Sequence, residues 1–200
     1  TVFDSTNNKI VVFFRNTSTS TGGCQVGTVS GTSISLGAQQ TFVAATAYPQ
    51  YMSAVFDSDS GKTVTVYRAV GSTNTYGNAI VGTVSGTSIS FGAKNVWHSA
   101  DTNEISLAYN IPKSKIVLSY RDSSNGYYIS SIDGTVSGTS ISFGPAFDIS
   151  GSKGNKTFSV YDPDSAKVVV GYGNQDNSYI GTAGVVTTPS SNSTDFVGIT

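Results

Sequence analysis

The residues that could perform chemistry are few in this chain. His98 is its only histidine, Glu104 its only glutamate and Cys24 its only cysteine. The chain therefore has few residues that could form a base–nucleophile pair or a pair of catalytic carboxylates. A single cysteine forms neither a disulfide framework nor a cysteine metal site. A glycosidase built on two aspartates stays open, but nothing marks which two. The sequence favours a non-enzymatic protein without a metal or cofactor.

One acidic segment suggests metal or glycan chemistry. The residues Asp57-Ser-Asp-Ser-Gly-Lys-Thr63 resemble both a calcium loop and the aspartate box of sialidases. The segment lacks the closing bidentate glutamate of an EF-hand loop, and the tryptophan and spacing of the aspartate box are absent. Related segments that begin at Asp4, Asn110 and Asp162 share only a polar, turn-forming composition. We therefore predict turns in which the Asp and Asn side chains cap their own backbone.

All three arginines occupy the same position in a repeated pattern. Arg15, Arg68 and Arg121 each end an apolar segment that begins with a lysine. Three equivalent cations could surround a channel and hold an acidic ligand. Alternatively, each arginine pairs with a nearby carboxylate or packs its stem along the edge of its unit. The second interpretation, in which the arginines have a structural role, is favoured.

The segments that must position these residues recur about every 53 residues. Lysines 9, 62, 115 and 167, spaced by 53, 53 and 52 residues, each precede an apolar strand and follow an aromatic-Asp or aromatic-Asn pair. Such a period indicates a repeat architecture. We assign four strands to each unit: strand a ends at the aromatic pair, strand b follows the lysine, and strands c and d form a hairpin. Strand b is apolar on both faces, so it should be covered on both sides.

The c–d hairpin is nearly the same in three units. Nine residues, Gly27 to Ser35, return unchanged as 82–90 and as 134–142. We read Ser30-Gly31 as a two-residue loop, because glycine supplies the positive φ that such turns need; this pairs Gly27 with Ile34. The alternation of the strand then predicts three equivalent isoleucines inside and three equivalent serines outside: Ile34, Ile89 and Ile141 buried, and Ser33, Ser88 and Ser140 outward.

These observations predict an all-β fold, a β-propeller of four four-stranded units of about 53 residues. Both a closed four-bladed ring and an arc of a larger propeller fit; a β-solenoid is the less favoured alternative. The domain covers residues 1–184, with units at about 1–52, 53–105, 106–157 and 158–184. Residues 185–200 are either a modified last strand or a linker to a further module.

Binding should occur at the end of the units that carries the b–c and d–a connections, which we call the loop end. The turns at the opposite end repeat, whereas the connections at the loop end differ between units, and loops on a rigid scaffold commonly bind ligands. Aromatic and polar side chains suited to sugar or protein contacts concentrate there: Tyr48, Tyr51, Tyr76, Trp97, His98 and Tyr127. The alternative is that several of them fill gaps between units.

Charge and composition exclude some partners. The formal net charge is −1 without a basic cluster, so nucleic acid is not an expected partner. No apolar run reaches membrane-spanning length, which predicts no membrane insertion. Few charges with abundant Ser, Thr and Asn fit an extracellular or virion surface.

The repeat unit resembles tandem repeats of virion-associated and tail-fibre-like proteins of marine bacteriophages, and related repeats of bacterial surface proteins. The resemblance rests on the Lys-Val-Val-x-Tyr-Arg and Gly-Thr-Val-Ser-Gly-Thr-Ser-Ile-Ser-Phe-Gly segments and covers essentially the whole chain. It implies a non-enzymatic virion or cell-surface fibre or adhesin segment, structural or attached to a surface glycan or receptor protein. Other fibre subunits, including copies of the same chain, are further expected partners. A secreted lectin and a sialidase-like hydrolase are the alternatives.

Overall fold

The protein is all-β. A computed structural model describes residues 1–45, 47–71 and 75–186, which form three antiparallel sheets. Helix in these ranges is limited to two 3-10 segments of three residues each, Ile111–Lys113 and Gln175–Asn177. The predicted all-β class is confirmed.

The first three units follow the predicted strand order a, b, c and d, and the fourth unit consists of strands a, b and c among the described residues. The first sheet contains β1 (Val2–Asp4), β2 (Lys9–Asn16), β3 (Thr21–Ser30), β4 (Ser33–Leu36) and β5 (Gln40–Val43). The second contains β6 (Ala47–Asp57), β7 (Lys62–Gly71), β8 (Thr75–Ser85), β9 (Ser88–Phe91) and β10 (Asn95–His98). The third contains β11 (Thr102–Asn110), β12 (Lys115–Asp122), β13 (Tyr128–Ser137), β14 (Ser140–Phe143), β15 (Phe147–Asp162), β16 (Lys167–Asn174) and β17 (Ile180–Val186). Every strand b therefore starts at the repeat lysine.

The outer strand d is divided into two short pieces. In the first sheet, β4 and β5 both pair with β3, and in the second β9 and β10 both pair with β8. In the third sheet β14 and the start of β15 take these places beside β13, and the rest of β15 then pairs with β16 as strand a of a fourth unit. Because β15 belongs to two units, the third and fourth units are continuous through one strand. The predicted connections at Tyr48–Tyr51 and at Trp97-His98 are thus strands, β6 and β10.

The hairpin register differs from the predicted one by two residues. Ser30 pairs with Ser33, and Gly27 pairs with Leu36 instead of Ile34. The loop is therefore Gly31-Thr32, not Ser30-Gly31. Gly31 has φ of +57°, and a two-residue hairpin with glycine first is the pattern of a type II′ turn. A shift of two residues keeps every side chain on its predicted face.

The units stack face to face. Strand b is buried on both sides, as predicted, in the second and third units, whereas in the first and fourth units one of its faces has no buried residue. In β12, Ile116, Leu118 and Tyr120 pack against Val64 and Val66 of the second unit. The alternate residue Val117 packs against β16 of the fourth unit. Each internal unit therefore contributes one face of strand b to the core before it and the other face to the core after it.

The three hairpin isoleucines do not share one environment. Ile89 and Ile141 are 5% and 3% exposed, whereas Ile34 is 50% exposed. Ile89 packs with Val11 and Val26 of the first unit, so each isoleucine is covered by the unit before it. The prediction was wrong for Ile34, because no described unit precedes the first one. The serines Ser33, Ser88 and Ser140 are exposed, as predicted.

Glycine contacts fix how closely successive hairpins approach. A Cβ at Gly37 would lie 2.1 Å from the carbonyl oxygen of Thr87, in the hairpin loop of the second unit. A Cβ at Gly92 would lie 1.8 Å from the same atom of Thr139, one unit further. The backbone of one hairpin thus rests directly on the loop of the next, and no other side chain fits between them.

The innermost strands are joined by a repeated hydrogen bond. The Leu107 N–H donates to Ser53 Oγ at 3.2 Å, linking β11 to β6. The Ser159 N–H donates to Ser106 Oγ at 2.8 Å, linking β15 to β11. Both serines directly follow a bulge in strand a. Strand a is the edge strand of its unit, so alternate backbone N–H groups point away from its own ladder and toward the neighbouring unit.

The burial difference between equivalent isoleucines predicts a difference in stability. Ile89→Ala should lower the unfolding free energy by about 2–4 kcal/mol, because it empties a filled site between units. Ile34→Ala removes the same atoms from an exposed site and should cost less than about 1 kcal/mol. Urea unfolding of both variants checks this; equal losses would contradict the stacking direction.

Alkaline pH should destabilise the fold through two buried groups. Burial raises the pKa of the Cys24 thiol from 9.0 to about 12 and that of Tyr67 from 10.0 to about 12. The folded state holds both protons more tightly than the unfolded state does. The stabilisation is therefore complete below about pH 9 and is lost as the pH rises toward 12.

Urea unfolding across this range should show the free energy falling with pH. The fall should be shallower in Cys24→Ala and in Tyr67→Phe, each of which lacks one ionising group. A slope that neither change alters would contradict this assignment.

Candidate functional site

Each repeat arginine lies over a tyrosine ring at the loop end. The Arg15 guanidinium carbon is 3.9 Å from the ring centre of Tyr48, and that of Arg121 is 4.3 Å from the ring of Tyr127. Arg68 lies 5.5 Å from the ring of Tyr51. All three distances are within the range of a cation–π interaction. Tyr48 and Tyr51 belong to β6, whereas Tyr127 lies in a b–c loop.

The arginines also connect neighbouring units. Arg68 Nη1 lies 3.0 Å from Asp101 Oδ1 and donates to Asn103 Oδ1; both residues belong to the third unit. Arg121 Nη2 donates to Gln175 Oε1 of the fourth unit at 3.5 Å. Only the contact between Arg68 and Asp101 is the pairing with a carboxylate that the structural interpretation gives; the partners Asn103 and Gln175 are neutral amides.

The six predicted binding residues differ in accessibility. Tyr51 and Tyr127 are each 42% exposed. Tyr48, Tyr76 and His98 are half-buried, and Trp97 is buried. The exposed tyrosines contact different arginines, Arg68 and Arg121, so they form separate sites in successive units.

Trp97 is a core residue instead of an exposed anchor. Its ring meets Tyr120 edge-on with centroids 4.8 Å apart and lies 6.3 Å from Phe143, both in the third unit. Gly77 on the neighbouring strand makes room for it, since a Cβ there would lie 2.5 Å from the indole. Trp97 therefore fills a gap between units, the alternative given above for this set of residues, because it lies in β10, whose inner face is covered by the next unit.

His98 is near an aspartate and a serine, but the arrangement differs from a catalytic triad. His98 Nε2 lies 3.4 Å from Asp122 Oδ1 and 3.4 Å from Ser124 Oγ. In a triad the two ring nitrogens divide these roles, one toward the acid and one toward the nucleophile. Here both partners meet the same nitrogen. Ser124 Oγ moreover donates to Asp122 at 2.6 Å, so this carboxylate caps its own turn.

Tyr51 and Tyr127 both have a backbone in the left-handed region, with φ of +47° and +68°. The same conformation occurs at Glu104 and Lys156, in the equivalent bulges of the next two units, and at Tyr179, the equivalent of Tyr127. The positive φ therefore belongs to the repeated backbone and is not specific to the two tyrosines.

The opposite end is built from self-capped turns. The Asn7 N–H donates to Asp4 Oδ1 at 2.9 Å, the Asp59 N–H to Asp57 Oδ1 at 3.0 Å, and the Asp164 N–H to Asp162 Oδ1 at 3.0 Å. The predicted turn chemistry is confirmed for these three segments. Asn110 makes no such bond in the described structure.

The described residues contain neither a candidate metal site nor a helix that could span a membrane. No group of three or more His, Cys, Asp or Glu side chains is arranged to hold a metal ion in these ranges. Neither described helical segment is long and apolar enough to cross a membrane.

Comparison with protein-family models and with curated protein sequences finds no match for this chain. The features above therefore rest on its own residues. The sequence identified the arginines and the tyrosines but not their pairing. The pairs have no common spacing, since Tyr48 and Tyr127 follow their arginines whereas Tyr51 precedes Arg68.

The burial of Trp97 predicts a structural effect. Trp97→Ala should lower the unfolding free energy by about 3–5 kcal/mol, because it leaves a large cavity between the second and third units. The adjacent Val96 is 47% exposed, and Val96→Ala should cost less than about 1 kcal/mol. Thermal and urea unfolding of the two variants test this. A Trp97→Ala protein as stable as Val96→Ala would restore the surface-anchor interpretation.

Proposed function

We propose that this chain is a non-enzymatic segment of a virion or cell-surface fibre protein that attaches to a surface glycan or receptor through its loop end. The observation that carries the proposal is the pair of exposed tyrosines, Tyr51 and Tyr127, each held over an arginine. A tyrosine with one face on a cation and the other in solvent offers a flat apolar surface with a polar tip. Such surfaces suit sugar rings and protein side chains.

We further propose that the units are blades of a β-propeller and form an arc of a larger array. Support comes from the face-to-face stacking of four-stranded units and from the contacts between successive inner strands. The exposed outer face of the first unit, with Ile34 at 50% exposure, favours an arc over a ring closed by these four units. Propellers commonly bind ligands at one end of the blades, where variable connections meet.

Binding by the tyrosines can be tested on a glycan array. We expect the labelled chain to bind a subset of glycans, and Tyr51→Ala or Tyr127→Ala to weaken that binding about thirtyfold, as loss of a central aromatic anchor does. Tyr51→Phe keeps the ring and should retain most of the affinity.

The matched control lies at the opposite end. Ile111 is 52% exposed in a 3-10 turn, and Ile111→Ala should leave glycan binding unchanged. Binding that survives both tyrosine changes, or is lost equally in the control, would place the ligand elsewhere. Turnover of chromogenic glycosides by the unmodified chain would favour the hydrolase alternative.

A further inference from the structure

The row of units ends in two exposed apolar faces. On the outer face of the first unit, Phe3, Val29, Ile34 and Leu36 are each at least 50% exposed. They share this face because Phe3 pairs with Ile10, Val29 with Ile34, and Gly27 with Leu36 in the sheet. Solvent-facing apolar groups of this size on one sheet face mark an interaction surface.

Among the described residues, the far face of the fourth unit is also exposed. Phe158 and Val160 are 70% and 62% exposed. Beside them lies a groove of about 560 Å³, whose lining includes Phe158, Gly171, Gly173, Gly181 and Ala183. Three glycines recess the part of this face that forms the groove, next to the projecting side chain of Phe158. The two faces therefore differ in shape, because the fourth-unit face combines a groove with exposed apolar side chains.

The interior of the row shows what covers each kind of face. Ile89 and Ile141, the equivalents of Ile34, are buried by the preceding unit. Ala108, the equivalent of Val160, is 5% exposed and packs against the following unit. The two end faces are thus the two halves of an interface that the chain already forms between its own units.

We propose that a second copy of this chain covers these faces head to tail, with the first-unit face of one copy on the fourth-unit face of another. A second copy is the expected partner because, inside the chain, the surface equivalent to each end face is covered by another unit of the same kind. The contact is heterologous, so repeated addition gives a ring if the rotation closes and a filament if it does not. The inference does not rest on the glycan-binding role proposed above.

Variants that block one face at a time test the proposal. Ile34→Asp places a charge on the first-unit face, and Phe158→Asp places one on the fourth-unit face. Both positions are at least half exposed in the single copy, so both variants should fold. The control is Ile111→Asp, since Ile111 is equally exposed but lies in a turn outside either face.

We expect light scattering after gel filtration to give the unmodified chain and Ile111→Asp a mass above the 20.7 kDa of one copy, rising with concentration. Each single-face variant should remain monomeric. An equal mixture of Ile34→Asp and Phe158→Asp should form a one-to-one dimer, because each variant retains the face that the other lacks.

Three outcomes overturn the proposal. If the unmodified chain stays monomeric at the highest soluble concentration, the two faces do not bind a second copy of the chain. Self-association of Phe158→Asp alone, with Ile34→Asp monomeric, indicates symmetric pairing of first-unit faces. A mixture that remains monomeric while the unmodified chain associates shows that the contact is not head to tail.

Discussion

Burial of both faces of strand b in the two internal units is the constraint on which this structure depends. A single four-stranded sheet of this composition would leave one apolar face in water, so each unit requires a neighbour. Val117 and Leu118 illustrate the point, because adjacent residues of one strand are fully buried in different cores. The stability of each unit is therefore coupled to that of its neighbours, as expected for repeat proteins in which nearest-neighbour interfaces supply much of the stabilisation.

The sequence was sufficient to predict the class of the fold and the positions of the b strands, because period and alternation depend on local pattern. It was insufficient for three features. The hairpin loop was misplaced by one residue, which shifts the strand pairing by two, since glycine can serve either central position of a tight turn. The second piece of strand d, including Trp97, was read as a connection because a strand of four residues has too little alternation to be recognised. The exposure of Ile34 depends on whether another unit covers it, and the local sequence pattern carries no information about that.

The candidate site follows from the same geometry. Strand b ends at the loop end with its arginine directed toward the next unit, where Asp101 and Asn103 receive Arg68. Sequence reasoning found the arginine position because it repeats, but the tyrosine partners are contributed by different elements and share no spacing. Their pairing could be recognised only after the units were stacked. Arg68, paired in this way with Asp101, is less available to an acidic ligand than an unpaired arginine would be.

The contact between Gly37 and the loop at Thr87, repeated between Gly92 and Thr139, has a genetic consequence. The second hairpin takes part in both of these joints: its loop contacts Gly37 of the unit before it, and its Gly92 contacts the loop of the unit after it. A mutation in one copy changes the fit on one side only and is disadvantageous unless its neighbour changes too. Unequal crossing-over between repeats, by contrast, removes or adds a whole unit and leaves every joint intact. The gene can therefore change the length of the protein more easily than it can change the nine residues that it repeats.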